Sequence, residues 1–188
     1  KNDKLLNDDN LQIDGHPAWI MQGNIYEVNI RQYTPEGTLN AFAKHLDRLK
    51  AMGVETIWFM PINPISKVDR KGSLGSYYAV SDFAKVNPEF GTIEDFRNLV
   101  KTAHENGIYV ILDWVPSHFP GDANGLFNFD GTHLYEHADM RKGFHPDWKS
   151  YIFNYDRNEV RSFLISNAMF WMDQFHADGL RVDAVASM

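Results

Sequence analysis

The chain has 188 residues, 44% of them hydrophobic, with a net charge of −7 and no cysteine. That length supports one sizeable core, and no apolar run approaches the roughly 20 residues that cross a bilayer, so the expectation is a soluble protein with no membrane partner. The acidic balance argues against nucleic acid and anionic surfaces as partners, and the missing thiols exclude disulfides and thiolate metal sites.

Residues 1–21 are polar and unpatterned and read as a lead-in segment. Opening on Lys1 with no charged-then-apolar leader, the chain is expected to be a processed product or a piece of something longer. NIYEVNI at 24–30 reads as a strand. Leu39, Phe42, Leu46, Leu49 and Met52 then recur at three- and four-residue steps behind Thr38, which predicts one capped amphipathic helix running up to Gly53 and the strand in ETIWFM. The layout repeats with Ile93, Phe96, Leu99, Val100 and Ala103 behind Thr92, with Asp95 placed as a capping-box acid, then Gly107 and the strand in GIYVILDW. A third stripe of Val160, Phe163, Leu164, Asn167, Phe170 and Trp171 leads to Gly179 and the strand in GLRVDAVA. Glycine suits the left-handed position just past a helix, so Gly53, Gly107 and Gly179 are all expected as helix stops.

Strands alternating with amphipathic helices call for an α/β fold with a parallel sheet and right-handed crossovers. The doubly wound open sheet and the (β/α)8 barrel both satisfy that order. RQYTPEG after the first strand carries no glycine-rich phosphate fingerprint, which counts against a nucleotide-binding unit. In either fold, function gathers at the C-terminal ends of the strands. Asp113 ends the third strand with His118 close behind, Asp183 ends the fourth, and the segment after the second brings Tyr77, Tyr78 and Asp82. Arg181 and Asp183 share one face of their strand. They read either as a structural salt bridge or as a carboxylate that the guanidinium keeps ionised, as a nucleophile requires.

Residues 115–157 form a long connection in which nine of 43 residues are aromatic, suited to stacking on sugars or to a private core for the loop. His133, His137, Asp139 and His145 raise the question of a transition metal. No H-E-x-x-H pattern is present, and Gly131 and the Gly143–Pro146 stretch break any long helix there, so hydrogen-bonding loop histidines are expected and no metal ligand is assigned.

GLRVD resembles the G-[FL]-R-x-D signature on the fourth strand of the α-amylase family of glycoside hydrolases and transglycosylases. DWVPSH resembles that family's D-x-V-x-N-H signature on the third strand, and GSYYAVSDF its G-Y-x-x-x-D-Y stretch, with Phe83 in place of the last Tyr. The resemblance implies a partial (β/α)8 TIM barrel, with residues 22–188 forming the N-terminal half (about four strands and three helices) and the long loop at 115–157 following the third strand. It also implies retaining chemistry on α-linked glucans such as glycogen, starch and maltooligosaccharides. Asp183 would be the catalytic nucleophile. Arg181, His118, Tyr78 and Asp113 would be substrate-binding or supporting residues: Arg181 holds the nucleophile, His118 hydrogen-bonds the reacting sugar, Tyr78 stacks on it, and Asp113 supports the network. The family's general acid, a Glu on the fifth strand, would lie outside this chain, which alone is expected to be inactive.

Residues 111–188 are similar to glycogen branching enzymes, as in VILDWVPSHFP and FNYDRNEVRSFLISNA, and residues 22–110 to bacterial α-amylases, as in IYEVNIRQYTPEGT. No cofactor is expected. Calcium is the one candidate, weakened because Ser117 stands where calcium-binding amylases carry Asn and so removes an amide oxygen ligand. Ala186 and Ser187 replace the Lys-His pair of many amylases. Both departures favour a 1,4-α-glucan branching enzyme, expected in the cytoplasm, over an α-amylase, expected to be secreted. A noncatalytic glucan-binding scaffold is the third alternative.

Overall fold

The computed structural model describes residues 12–188. In chain order the elements are β1 (Gln12–Ile13), β2 (His16–Pro17), α1 (Ala18–Gln22), β3 (Ile25–Val28), α2 (Ile30–Tyr33), α3 (Leu39–Ala43), α4 (Leu46–Ala51), β4 (Thr56–Phe59) and α5 (Ile93–Glu105). They continue with β5 (Tyr109–Trp114), β6 (His118–Phe119), α6 (Met140–Gly143), β7 (Phe144–His145), β8 (Ser150–Ile152), α7 (Asn158–Phe175) and β9 (Gly179–Val182). The chain divides into two compact units. One takes the described residues up to Met60 with Pro88–Asp113 and Trp171–Arg181; the other takes Pro61–Asn87, Trp114–Phe170 and Val182–Met188.

The first unit is built on a sheet of order β3-β4-β5-β9, with β3 parallel to β4 and β4 parallel to β5. This is the parallel α/β layout expected of a partial (β/α)8 barrel. Its core is Val28, Leu39, Phe42, Leu46, Leu49, Ile57, Phe59, Phe96, Leu99, Ile108 and Val110, all essentially inaccessible. Leu39, Phe42, Leu46, Leu49, Phe96 and Leu99 are inside as the stripes predict, whereas Ile93 of the second stripe is exposed. Two helix starts also behave as read. The Thr38 side chain accepts the Ala41 N–H. Thr92 and Asp95 form a reciprocal capping box, each carrying one of the backbone donors that a helix start leaves unpaired.

Three local expectations are revised. The single helix over 39–52 is two short ones, interrupted at Lys44 and His45, and Met52 is exposed rather than core. Gly53 and Gly107 do stop helices, at φ of +84° and +72°. The Gly53 and Val54 amides reach Lys50 O and Leu49 O, and those of Gly107 and Ile108 reach His104 O and Ala103 O, which is a Schellman closure in both cases. Gly179 is not a stop. His176 takes the left-handed position at φ of +57°, its N–H bonds Met172 O, and Gly179 opens β9. A second bond, from the Ala177 N–H to Trp171 O at 3.4 Å, also closes this end, and the left-handed residue is one with a Cβ rather than a glycine. The expected lead-in lies partly outside the described residues. Its remainder carries a β1–β2 hairpin whose two-residue turn, Asp14-Gly15, has both φ angles positive, as an Asp-Gly hairpin turn requires.

The second unit contains the loop after β5. Its aromatic residues form a private core: Phe119 and Phe153 are buried with Phe83, Val80, Val115, Val160 and Leu164, and Phe127, Tyr135, Tyr151 and Tyr155 pack against them. Phe129 is exposed. A three-stranded antiparallel sheet of order β6-β8-β7 runs through this unit.

Candidate active site

In the second unit a cleft of about 460 Å³ is lined by Tyr78, His118, Trp148 and Asp183, with Arg70 and Lys149 among the charged residues around it. Three of the sequence-predicted residues therefore share one cavity. Each is held by local structure. His118 opens β6 and faces Ile152 across the ladder. The Tyr155 hydroxyl, pushed up to about 12 by burial, donates to Pro116 O at 2.8 Å and ties down the approach to that strand. Tyr78 follows a turn in which its N–H meets Ser76 Oγ at 3.2 Å and the Ala79 N–H meets Ser76 O. The bridge Ile65↔Val80 closes that segment. Ser66 Oγ and the Lys67 N–H both donate to the Asp122 carboxylate, at 2.6 and 2.8 Å. Asp183 is set by its N–H to Trp114 O at 2.9 Å and by Ala184, which takes φ of +53°. A residue with a Cβ in the left-handed region costs about 1–2 kcal/mol, so the turn beside Asp183 is strained.

Electrostatics gives His118 a definite state. Burial pushes its imidazole down to about 4; the Asp183 charge pulls it upward, and His145 and Lys71 push it further down. At neutral pH the ring is uncharged and acts as a hydrogen-bonding group. Of the loop histidines, His133 hydrogen-bonds as expected, its Nδ1 meeting Glu136 Oε1 at 3.0 Å, whereas His145 buries Nδ1 without a hydrogen-bond partner among the described residues; Asp139 is engaged by Arg141. Among the described residues no three His, Cys, Asp or Glu side chains gather to hold a metal ion. Ser117 Oγ is buried without a hydrogen-bond partner among the described residues.

In the first unit the other two predicted residues meet. Asp113, with its side chain fully buried, accepts Arg181 Nη1 at 3.2 Å on both oxygens, and the Trp58 indole N–H at 3.0 Å. The Arg181 guanidinium carbon lies 5.0 Å from the centre of the Trp58 ring, in reach of a cation–π contact. The spacing argument matched Arg181 to Asp183 and did not anticipate Asp113 as its partner, nor Trp58 at all. The signal was in the register. Trp58 pairs with Ile111 across β4 and β5, and Ile111 and Asp113 share a face. Pairing has to be known before that alternation can be used.

The sequence model of the family described as "Alpha amylase, catalytic domain" matches residues 7–133. The 1,4-alpha-glucan branching enzyme GlgB of Aromatoleum aromaticum is 48% identical over 170 residues, covering 88% of this chain and 26% of that protein. The GlgB of Aquifex aeolicus is 46% identical over 187 residues, covering 94% and 28%. That of Rubrobacter xylanophilus is 65% identical over 117 residues, covering 62% and 16%. Among solved structures, an α-amylase from Lactobacillus plantarum superposes with a TM-score of 0.78 at 34% identity, covering 87% of this chain and 38% of that one. An α-amylase from Geobacillus thermoleovorans, complexed with acarbose, gives 0.69 at 27% identity, covering 88% and 41%. The chain spans about a quarter of the length of the first two relatives. Curated likeness thus runs to branching enzymes and structural likeness to α-amylases, the mixture that the two halves of the sequence suggested. By its family match, its curated relatives and its parallel sheet, the chain belongs to the α-amylase family.

Proposed function

We propose that this chain forms part of the catalytic domain of a 1,4-α-glucan branching enzyme acting on glycogen, starch or maltooligosaccharides, in the cytoplasm. The observation that carries the reading is the cleft in which Asp183, His118 and Tyr78 meet. Asp183 attacks the anomeric carbon of a glucosyl unit as the α-1,4 oxygen leaves with a proton from a second carboxyl group, which retaining chemistry places about 5 Å from the nucleophile. The glycosyl ester then passes to a 6-hydroxyl, whose proton returns to that second carboxylate. Tyr78 stacks on the sugar, and neutral His118 hydrogen-bonds it. Arg181 and Asp113 are supporting residues, each fixing the other's geometry through their ion pair, in which the Asp113 side chain is buried and Arg181 is partly exposed.

Hydrolysis is the second reading, favoured by the α-amylase structures that the fold resembles. Incubating the full-length protein with amylose separates the two. New α-1,6 anomeric signals in proton NMR without a rise in reducing sugar support branching; rising reducing ends alone reject it in favour of hydrolysis. D183N abolishes both products if Asp183 is the nucleophile, and retained turnover would exclude that role.

A further inference from the structure

The cleft has a second aromatic residue that no signature singled out. Trp148 sits in the turn between β7 and β8, where Lys149 takes φ of +49°, and it lines the same cavity as Tyr78, His118 and Asp183. The ring is held on more than one side. His145 stacks on it with centroids 3.9 Å apart and planes 7° from parallel, and His118 packs at 4.9 Å and 48°. The sheet explains the arrangement. β8 pairs with β6 along one edge and with β7 along the other, so His118 and His145 stand on the two outer strands, His145 opposite Ser150 next to the turn that carries Trp148 and His118 opposite Ile152 at the other end of β8.

Both imidazoles bury Nδ1 without a hydrogen-bond partner among the described residues. At that nitrogen nothing polar orients either ring, so packing against the indole contributes to their orientation. An indole clamped in this way has lost its rotamer freedom before any ligand arrives, which lowers the cost of binding. It is also a large, rigid apolar plane, suited to the apolar carbon face of a pyranose.

We propose that Trp148 is a substrate-positioning residue that seats a glucosyl ring of an α-glucan in the cleft with Tyr78, and that His145 acts through it as a clamp. This deepens the glucan-transfer reading and rests on it. The test uses the protein labelled with 5-fluorotryptophan and titrated with maltoheptaose, the Trp148 fluorine resonance being assigned by its loss in W148F. That resonance is expected to move with saturation. W148A weakens binding about tenfold, while W148F and H145A weaken it by about threefold. Thermal melts identify any variant that has lost its fold; should W148A be one, the resonance shift and W148F still decide. A stationary Trp148 resonance at saturation, with Y78A losing affinity, overturns the inference and leaves the glucan reading intact. If the unsubstituted protein does not bind maltoheptaose, both fall.

Discussion

In the first unit, adjacent parallel ladders satisfy the backbone of the sheet, and aliphatic and phenylalanine side chains fill the interior. In the second unit the strands β6, β7 and β8 are two or three residues long, and the remaining chain is held by side chains bonding the backbone and by ring-on-ring packing. Asn167 shows how: its amide nitrogen donates to Phe83 O at 2.7 Å while its oxygen accepts the Trp114 indole N–H at 2.9 Å. The cleft belongs to the second kind of architecture. Regular ladders fix a chain by repetition and leave few concave surfaces, whereas a loop fixed by individual contacts can shape a cavity.

The contrast can be broken most severely at Phe153, which is 2% exposed and meets Phe83, Phe119, Tyr155 and Phe163. F153A is expected to cost about 4 kcal/mol. Hydrogen exchange should rise across 114–170 while β3 and β4 stay protected, and equal loss in both regions would show that the units do not respond separately. The corresponding cut in the first unit is Asp178, whose buried Oδ2 accepts the Val110 N–H and meets His104 Nε2, both at 2.8 Å. D178A is expected to cost about 3 kcal/mol by leaving a strand amide and an imidazole without their partner. In a urea-melt cycle with H104A the double variant should lose less than the sum of the singles; strict additivity would deny the coupling.

A third probe uses pH. His118 is neutral in the folded protein down to about 4, whereas an unfolded histidine takes up its proton near 6.5. Between those values the unfolded state binds the extra proton, so stability is full above about 6.5 and falls as pH is lowered toward 4, by on the order of 3 kcal/mol. H118Q should flatten that limb of a stability-versus-pH curve, and an unchanged slope would place the titration elsewhere. The smallest effect belongs to the capping box. T92A is expected to cost about 1 kcal/mol in a denaturant melt, and a loss within error would mean that α5 is held by its packing alone.

How far the sequence led can be argued from single residues. Thr92 and Asp95 were legible because a capping box is four consecutive residues whose geometry closes on itself. Leu39, Phe42, Leu46 and Leu49 lie in the core as their spacing predicts, but the same spacing does not show the interruption at Lys44 and His45, because periodicity reports which face is buried and not whether the helix is continuous. Gly179 is not the stop because the left-handed position falls three residues earlier, on His176, a non-glycine residue that no glycine pattern marks. In the site, Asp183, His118 and Tyr78 were singled out by their places after strands and by the family resemblance, and one cavity is lined by all three. Trp148 was one ring among nine in its loop, and composition could not separate it from Phe153, which is core.

By itself, then, the sequence determined the helix faces, two of the three helix ends, the parallel α/β layout and the residue types available for chemistry. The helix faces and ends depend on contacts within a few positions of one another, and the layout follows from the order in which those local patterns alternate along the chain. Tertiary structure brought Asp113 to Arg181, placed Trp58 beside them, and brought Trp148 to the cleft between two histidines. Those outcomes depend on strand register and on loop closure between residues tens of positions apart, and no local pattern carries that information.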